Sequence, residues 1–355
     1  MSPELGCSEY IFGNSGDIDY FWASDLKDMI EIRLPEERQH RLPFFLAMEE
    51  WVAKNLPPED YIFSWRVNPT VICGRNQDIV LEVNLPYCRA ENIDVVRRRS
   101  GGGCVYADMN NYMFSFVTPG GDVERNYARY TTVCASMLKS LDIEATVSGR
   151  NDILVKDAKI AGNAFYRLAD RSIVHGTMLY DCDPVRLSRA ITPSKAKLES
   201  KAVKSVGMRV TSLKEQKIRL SLEEFGTYAI HYFTSGRFLI LSDDNVREIE
   251  KIEQRYYDPV FLFGKAGVNG NTVTRKCRIE NVGEFQTEIA VDEAGFIASI
   301  ELRGDFFALG DISTIETALK GVRYDKSAVK KALQGFDISG IVRNLELVHL
   351  CDMLI

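Results

Sequence analysis

Residues 95–111 read VVRRRSGGGCVYADMNN, and the glycines Gly101, Gly102 and Gly103 lie at the centre of this stretch. Glycine has no Cβ, so a ligand can approach the main chain closely and successive N–H groups can point at it. The three preceding arginines carry planar donor groups that match carboxylate or phosphate oxygens. The stretch therefore predicts an anion site. It lacks the Gly-Lys-Ser/Thr ending of a Walker A loop, and a glycine hairpin beside a solvated basic strand is the alternative.

The composition is that of a globular protein. The chain has 355 residues, 45% of them hydrophobic and 26% charged, with a net charge of -6. This length predicts about two domains. The negative charge argues against nucleic acid as the main partner, and no apolar run approaches the ~18 residues of a membrane span. Eight scattered cysteines without a C-x-x-C pair predict free thiols in a reducing compartment. We expect a cytoplasmic protein that binds a small anion.

The hydrophobic pattern predicts an α+β fold. Residues 1–41 are polar, and we expect an irregular extension there. A helix should follow Pro43, with Trp51 among its buried residues and Glu49 and Glu50 on its outer side. Strands then alternate with short links that leave no room for crossover helices, so we expect a largely antiparallel sheet with flanking helices. An amphipathic helix over residues 126–141 should lie on that sheet.

A domain boundary is predicted near the Asp258-Pro259 pair. We divide the chain into an extension (1–41), a catalytic domain (42–255) and a small C-terminal accessory domain (260–355). In the last of these, residues 285–291 and 296–302 predict a hairpin, which two helices should follow. No residue of this small α+β domain suggests catalysis.

A second motif lies at residues 149–163. Asp152 and Lys159 should open the two arms of a tight hairpin turning at Lys156, Asp157 and Ala158. A lysine held at the start of an apolar strand can bind a carboxylate and a phosphate together, and Asp152 could hold Mg²⁺ or orient a nucleotide amine. An ordinary salt pair is the alternative.

Two further features are less specific. His175 precedes Gly176 and Thr177 in a predicted strand, where a lone histidine is more often structural than catalytic. Residues 192–213 are strongly basic, which indicates either a solvated surface or a flap over an anionic ligand.

Taken together, these motifs resemble the lipoate-protein ligase A family, which is related to the biotin protein ligases. The matching segments are 97–108, 149–164, 175–177 and 205–211, in that order over about 120 residues. The resemblance implies a biotin/lipoate ligase-like catalytic domain and a two-step reaction. Lipoate would react with ATP, bound as its Mg²⁺ complex, to give lipoyl-AMP and pyrophosphate. The lipoyl group would then pass to a lysine of a lipoyl domain, carried by the E2 subunit of a 2-oxoacid dehydrogenase, or of the glycine-cleavage H protein.

The same resemblance assigns roles to residues. Lys159 would be the catalytic residue and would also contact lipoate. Asp152 would be a Mg²⁺ ligand, and residues 192–213 would form the adenylate-binding flap. Contacts to ATP and lipoyl-adenylate are implied for Arg98, Gly101, Gly102, Gly103, Cys104, Val105, Tyr106, Asp152, Lys159 and His175.

Several positions depart from the family pattern, and these leave other functions open. Ala107, Asn110, Val174 and Phe45 replace a usual histidine, glycine, histidine and asparagine, which puts pocket shape and acyl preference in question. An acyltransferase that forms a thioester on Cys104 is one alternative. Biotin ligation is another, with the Gly-Arg pair at residues 74–75 as its only trace. A non-catalytic lipoate sensor is the third.

Overall fold

The computed structural model describes residues 28–148, 152–181, 183–191, 210–264 and 272–355. They form an N-terminal α+β unit and a C-terminal domain whose first described strand starts at residue 272. The strands of the N-terminal unit are β1 (Ile30–Arg33), β2 (Tyr61–Trp65), β3 (Thr70–Cys73), β4 (Asp94–Arg97), β5 (Val105–Ala107), β6 (Tyr112–Pro119), β7 (Ala145–Val147), β8 (Asp152–Val155), β9 (Ala158–Leu168), β10 (Arg171–Met178) and β11 (Phe238–Ile240). Its helices are α1 (Leu42–Asn55), α2 (Ile79–Glu82), α3 (Leu85–Ala90), α4 (Val123–Lys139), α5 (Pro184–Ala190), α6 (Leu222–Thr234), α7 (Asp243–Glu253) and α8 (Pro259–Phe263).

The main sheet has eight strands in the order β11-β1-β2-β6-β10-β9-β8-β7. Within this sheet, the neighbouring strands β2, β6, β10, β9, β8 and β7 are all paired antiparallel. The expected fold class is therefore confirmed. At the other end, β1 is parallel to both β2 and β11. Residues 30–33 are therefore part of the sheet, although we expected an irregular extension there. The pairing of β1 depends on partners far along the chain, which local sequence does not reveal.

Helix α4 packs against one face of the sheet, as its pattern predicted. Its residues Tyr130, Val133 and Met137 are buried, together with Phe225 and Phe233 of α6. Asp122 begins the helix by accepting the amide proton of Arg125. The apolar stripe at three- and four-residue spacing thus fixes which side of α4 meets the sheet.

Helix α1 is buried on nearly all sides. Glu49 and Glu50 are only 0% and 1% exposed, so the expectation that they face outward is wrong. The sheet covers one side of α1, and α7 with Tyr256 covers the other. Buried carboxylates are costly unless they are paired, and both of these glutamates have partners.

The C-terminal domain has more strands and helices than the sequence predicted. Its three strands form one antiparallel sheet, namely β12 (Thr272–Ile279), β13 (Gly283–Val291) and β14 (Ile297–Gly304). Its helices are α9 (Ser313–Leu319), α10 (Lys326–Leu333), α11 (Ile338–Ile341) and α12 (Leu347–Leu354). The expected hairpin is β13–β14, whereas β12, α11 and α12 are additions. Among the described residues, no helix is both long and apolar enough to cross a membrane.

Candidate active site

A small three-stranded sheet holds residues 100–103, which we call the glycine run. Strand β3 pairs in parallel with β4 and antiparallel with β5, and the run connects β4 to β5. The buried Arg98 side chain fixes its shape. It donates to the carbonyl oxygens of Ile72 (3.0 Å), Gly101 (2.6 Å) and Gly103 (2.9 Å) and to Ser100 Oγ (2.9 Å). Because these acceptors are neutral and the guanidinium is desolvated, burial lowers the pKa of Arg98 to about 10. In this structure Arg98 shapes the run from within.

The C-terminal domain covers the first two glycines. The amide of Gly102, whose φ is +88°, donates to the carbonyl oxygen of Phe306 at 3.3 Å. A Cβ on Gly101 would lie 2.4 Å from that oxygen, and one on Gly102 would lie 3.0 Å from the Phe307 ring. A Cβ on Gly103 would meet no described atom within 4 Å. Close approach at Gly101 and Gly102 is therefore used by the other domain, and only Gly103 is open to a ligand.

Replacing Gly101 should weaken the contact between the domains. In Gly101→Ala, the clash with a backbone oxygen cannot be relieved by a side-chain rotation, and overpacking of this kind costs about 1–3 kcal/mol. We expect a lower midpoint of thermal unfolding than in the matched variant Gly103→Ala. Equal stability of the two variants would contradict the packing described here.

Cys104 is a poor candidate for a nucleophile. Its thiol donates to Gln77 Oε1 at 3.2 Å and lies 3.5 Å from Cys73 Sγ. The hydrogen bond with Cys73 and burial together raise the pKa of Cys104 well above its usual value, and the thiolate is the reactive form. Next along the strand, Val105 is half-buried and the side chain of Tyr106 is buried. This environment disfavours the thioester alternative.

Accordingly, Cys104→Ser should keep the enzymatic activity within about threefold of the wild type, because serine preserves a donor of similar size. Mass spectrometry of the intact wild-type protein after incubation with an acyl donor should reveal no covalent acyl adduct. Accumulation of a thioester that disappears in Cys104→Ser would instead support the acyltransferase.

Lys159 and Asp152 meet across the predicted hairpin. Lys159 Nζ lies 2.7 Å from Asp152 Oδ1, and both side chains remain partly exposed. The turn residues Lys156 and Asp157 both have positive φ, as a two-residue hairpin turn of type I′ requires. A Cβ on Gly162 would lie 2.6 Å from Lys159 Nζ, so glycine leaves the space that the ammonium group occupies. The structure thus places two of the predicted site residues together.

The end of the basic segment reaches Lys159. Val210 forms a parallel bridge with Lys159, and the amide of Thr211 donates to the Lys159 carbonyl oxygen at 2.9 Å. The rest of the predicted flap, residues 192–209, and the motif residues 149–151 lie outside the described residues.

His175 lies beneath the glycine run, where it is 6% exposed. Its Nε2 lies 2.7 Å from Ser100 Oγ, and its Nδ1 lies 2.9 Å from Glu49 Oε1. One tautomer of His175 satisfies every donor and acceptor in this series of hydrogen bonds. Arg98 donates to Ser100, Ser100 donates to His175 Nε2, and Nδ1–H donates to Glu49. His175 therefore joins helix α1 to the glycine run.

Glu49 is the residue of this hydrogen-bond network whose place the sequence analysis missed. Besides His175, it accepts hydrogen bonds from Ser115 Oγ (2.6 Å) and from the Tyr166 hydroxyl (3.2 Å). The sequence feature that could have indicated its burial is that apolar residues precede and follow it in the helix. Nearby, the Phe45 ring stacks on Trp65 at 5.1 Å, so the departure at Phe45 fills space within this aromatic cluster.

No group of three or more metal-binding side chains occurs within the described ranges. Asp152 is a single carboxylate and is paired with Lys159. Mg²⁺ is commonly held by one or two carboxylates together with substrate phosphates, so Asp152 fits a metal that arrives with its nucleotide rather than a resident ion.

Comparisons with known proteins cover both domains of the chain. Residues 43–234 match the family model "Lipoyl protein ligase A/B catalytic domain", and residues 271–354 match "Bacterial lipoate protein ligase C-terminus". Lipoate-protein ligase 1 of Staphylococcus aureus is 36% identical over 86% of this chain and 95% of its own length. Lipoate-protein ligase LplJ of Bacillus subtilis is 32% identical over 87% of this chain and 95% of its own length.

Solved structures share the fold. A complex of Plasmodium falciparum LipL1 with lipoate matches with a TM-score of 0.74 and 23% identity, covering 92% of this chain and 97% of that one. Lipoate-protein ligase A bound with ATP matches with a TM-score of 0.58 and 20% identity, covering 66% and 99%. A bipartite ligase studied with its E2 lipoyl domain from Thermoplasma acidophilum also has a TM-score of 0.58, with 22% identity, covering 68% and 98%. The two domain matches and the identity over most of the chain lead to one conclusion: this chain belongs to the lipoate-protein ligase family.

Proposed function

We propose that this enzyme activates lipoate with ATP to form lipoyl-AMP and pyrophosphate, and then transfers the lipoyl group to a lysine of an acceptor protein. The observation that carries the proposal is the Lys159–Asp152 pair, at 2.7 Å, on the hairpin that follows the glycine run. Related structures in complex with lipoate and with ATP support the same substrates.

Lys159 would bring two anions together. The carboxylate of lipoate and the α-phosphate of ATP repel each other, and an ammonium group between them offsets that repulsion as the new bond forms. Asp152 forms an ion pair with Lys159 and so holds the ammonium group at the site, where its N–H groups can donate to the substrates. Lys159 acts as a fixed positive charge and forms no covalent bond. It is thus both the catalytic and the lipoate-binding residue of the proposal.

The glycine run would supply the second half of the site. Its open end begins at Gly103 and continues into Cys104, Val105 and Tyr106, whose backbone we propose to lie along the adenylate. Gly101, Gly102, Arg98 and His175 would act indirectly, because they hold the run in shape. ATP would bring Mg²⁺, which neutralises phosphate charge, and Asp152 would be its protein ligand.

The acceptor and the division of the chain are also part of this proposal. A ligase studied with its E2 lipoyl domain makes lipoyl domains of 2-oxoacid dehydrogenases the first acceptors to test, followed by the glycine-cleavage H protein. We assign the chemistry to residues 42–255 and a supporting role to residues 260–355, and we expect the reaction in the cytoplasm.

The test is lipoate-dependent exchange of labelled pyrophosphate into ATP, followed by transfer to an isolated lipoyl domain. We expect exchange with lipoate, no exchange without an acid, and a mass increase of the lipoyl domain that requires its target lysine. Octanoate in place of lipoate reports acyl preference. Saturable lipoate binding without exchange would identify a sensor and overturn the proposal.

A further inference from the structure

A cavity of about 510 Å³ lies between the N-terminal unit and the C-terminal domain. Arg97 and Arg99 line it, whereas Arg98 does not. Successive side chains of an extended chain point to opposite sides, so the cavity and the Arg98 side chain lie on opposite sides of this segment. Neither Lys159 nor Asp152 is among the lining residues. The cavity is therefore separate from the proposed adenylate site.

The lining is rich in positive charge. Five arginines and three glutamates face the cavity. Glu50 pairs with Arg99 and Arg255, each at 2.8 Å. In the same way, Arg303 pairs with Glu301 at 2.8 Å. The third acid, Glu316, accepts the amide proton of Leu302, and burial raises its pKa.

Two arginines are left without a carboxylate in the described part of the chain. Arg97 is 6% exposed, and it donates to the carbonyl oxygens of Gly74, Arg75, Gln77 and Leu262 at 2.7–3.0 Å. Those bonds use Nε and Nη1 and leave Nη2 unused among the described residues. Burial lowers the pKa of Arg97, and a nearby anion would offset that cost. The exposed side chain of Arg75 forms no ion pair within the described ranges.

Two amides add donors at the same place. Gln77 is 3% exposed, and its Oε1 accepts the amide proton of Gly74 at 3.0 Å. Its Nε2, like Nδ2 of Asn76, is buried without a hydrogen-bond partner in the described residues. Buried amide donors normally have a partner, so an unpaired pair of them beside two arginines indicates a missing acceptor. The Oε1 of Gln77 is thus already used as an acceptor, whereas the two amide nitrogens lie unpaired beside the two arginines in the described part of the chain.

We propose that this cavity binds a phosphate group through Arg75, Asn76, Gln77 and Arg97. A phosphate carries more negative charge and more acceptor oxygens than a carboxylate, which suits two arginines and two amides at one place. The apolar residues Val260, Phe261 and Phe263 line the same cavity and leave room for an organic part. Inorganic phosphate and a phosphate ester both present the oxygens that these four side chains would bind.

A ligand here would act on the glycine run. The amide of Arg75 donates to the carbonyl oxygen of Ser100 at 2.8 Å. A Cβ on Gly74 would lie 1.9 Å from the Gly102 carbonyl oxygen. Residues 74–77 are therefore in direct contact with the run, and phosphate binding would hold the two segments together.

Calorimetric titration of the full chain with inorganic phosphate, without ATP or lipoate, tests this site. We expect one saturable site in the wild type and about 10-fold or greater weakening in Arg75→Ala, because a charge-assisted hydrogen bond contributes that much. Asn76→Ala should weaken binding as well. Lys159→Ala should bind as the wild type does, and so should Arg219→Ala, which removes an exposed arginine that does not line the cavity.

A second titration with AMP separates free phosphate from an ester. Only the binding that Arg75→Ala removes and Lys159→Ala retains is assigned to the cavity, and tighter binding of AMP than of phosphate identifies an ester. Absence of saturable binding for both probes would overturn the proposal. Binding that depends on Lys159 but not on Arg75 would overturn it too. Both outcomes are independent of whether pyrophosphate exchange is observed.

Discussion

Lys159→Ala should reduce lipoate-dependent pyrophosphate exchange by about 100- to 1000-fold, the usual loss when one donor to a developing charge is removed. The reason is that no second cation is paired with Asp152 among the described residues, so nothing substitutes for the ammonium group. The fold should be unaffected, because the pair is partly exposed and surface ion pairs add little stability. Initial exchange rates at saturating ATP and lipoate, together with thermal unfolding, measure the two effects.

Lys156→Ala is the matched control for this experiment. Lys156 lies in the turn of the same hairpin and is exposed, and the structure shows no ion pair for it among the described residues. Its substitution removes one positive charge at almost the same place and should leave exchange within about twofold. If both variants lost activity equally, the general positive charge of the hairpin would explain the effect. A Lys159→Ala enzyme with more than half of the wild-type rate would exclude Lys159 as the catalytic residue.

Glu49→Ala should lower the free energy of unfolding by about 3–5 kcal/mol, as expected when one partner of a buried network is removed. His175, Ser115 and Tyr166 would lose their common acceptor inside the protein. Loss of the side chain also leaves a cavity beside α1, which adds to the cost. Denaturant unfolding followed by tryptophan fluorescence measures the change, since Trp65 donates to Ser115 in the same network.

Glu49→Gln separates the network from the volume of the side chain. Glutamine keeps the shape and one acceptor oxygen, so we expect a loss of about 1 kcal/mol. Exchange activity should follow the same order, because Glu49 is hydrogen-bonded to His175, which in turn contacts Ser100 of the glycine run. If Glu49→Ala were as stable as the wild type, the hydrogen bonds described here would not contribute to folding. If Glu49→Gln were as damaged as Glu49→Ala, the negative charge itself would be required.

The sequence by itself determined the features that depend on neighbours along the chain. The alternation of apolar residues predicted most strands of the antiparallel sheet, and three- and four-residue spacing predicted α4. The turn at Lys156 and Asp157 predicted the hairpin that brings Lys159 to Asp152, and the structure shows that pair. The ordered motifs also identified the family. Each of these signals is contained within a few tens of residues, where local geometry restricts the chain strongly.

Only the tertiary structure decided which residues surround the site. Glu49 looks like a solvent-facing residue until His175, 126 positions away, is placed against it. Phe306 and Phe307 show no catalytic pattern, yet they cover Gly101 and Gly102. Likewise, the donors of Arg75, Asn76 and Gln77 meet Arg97 only because β3 and β4 are paired. Such contacts join distant segments, and their energies depend on burial and on the partner's position. Neither quantity is encoded by residue type or spacing alone.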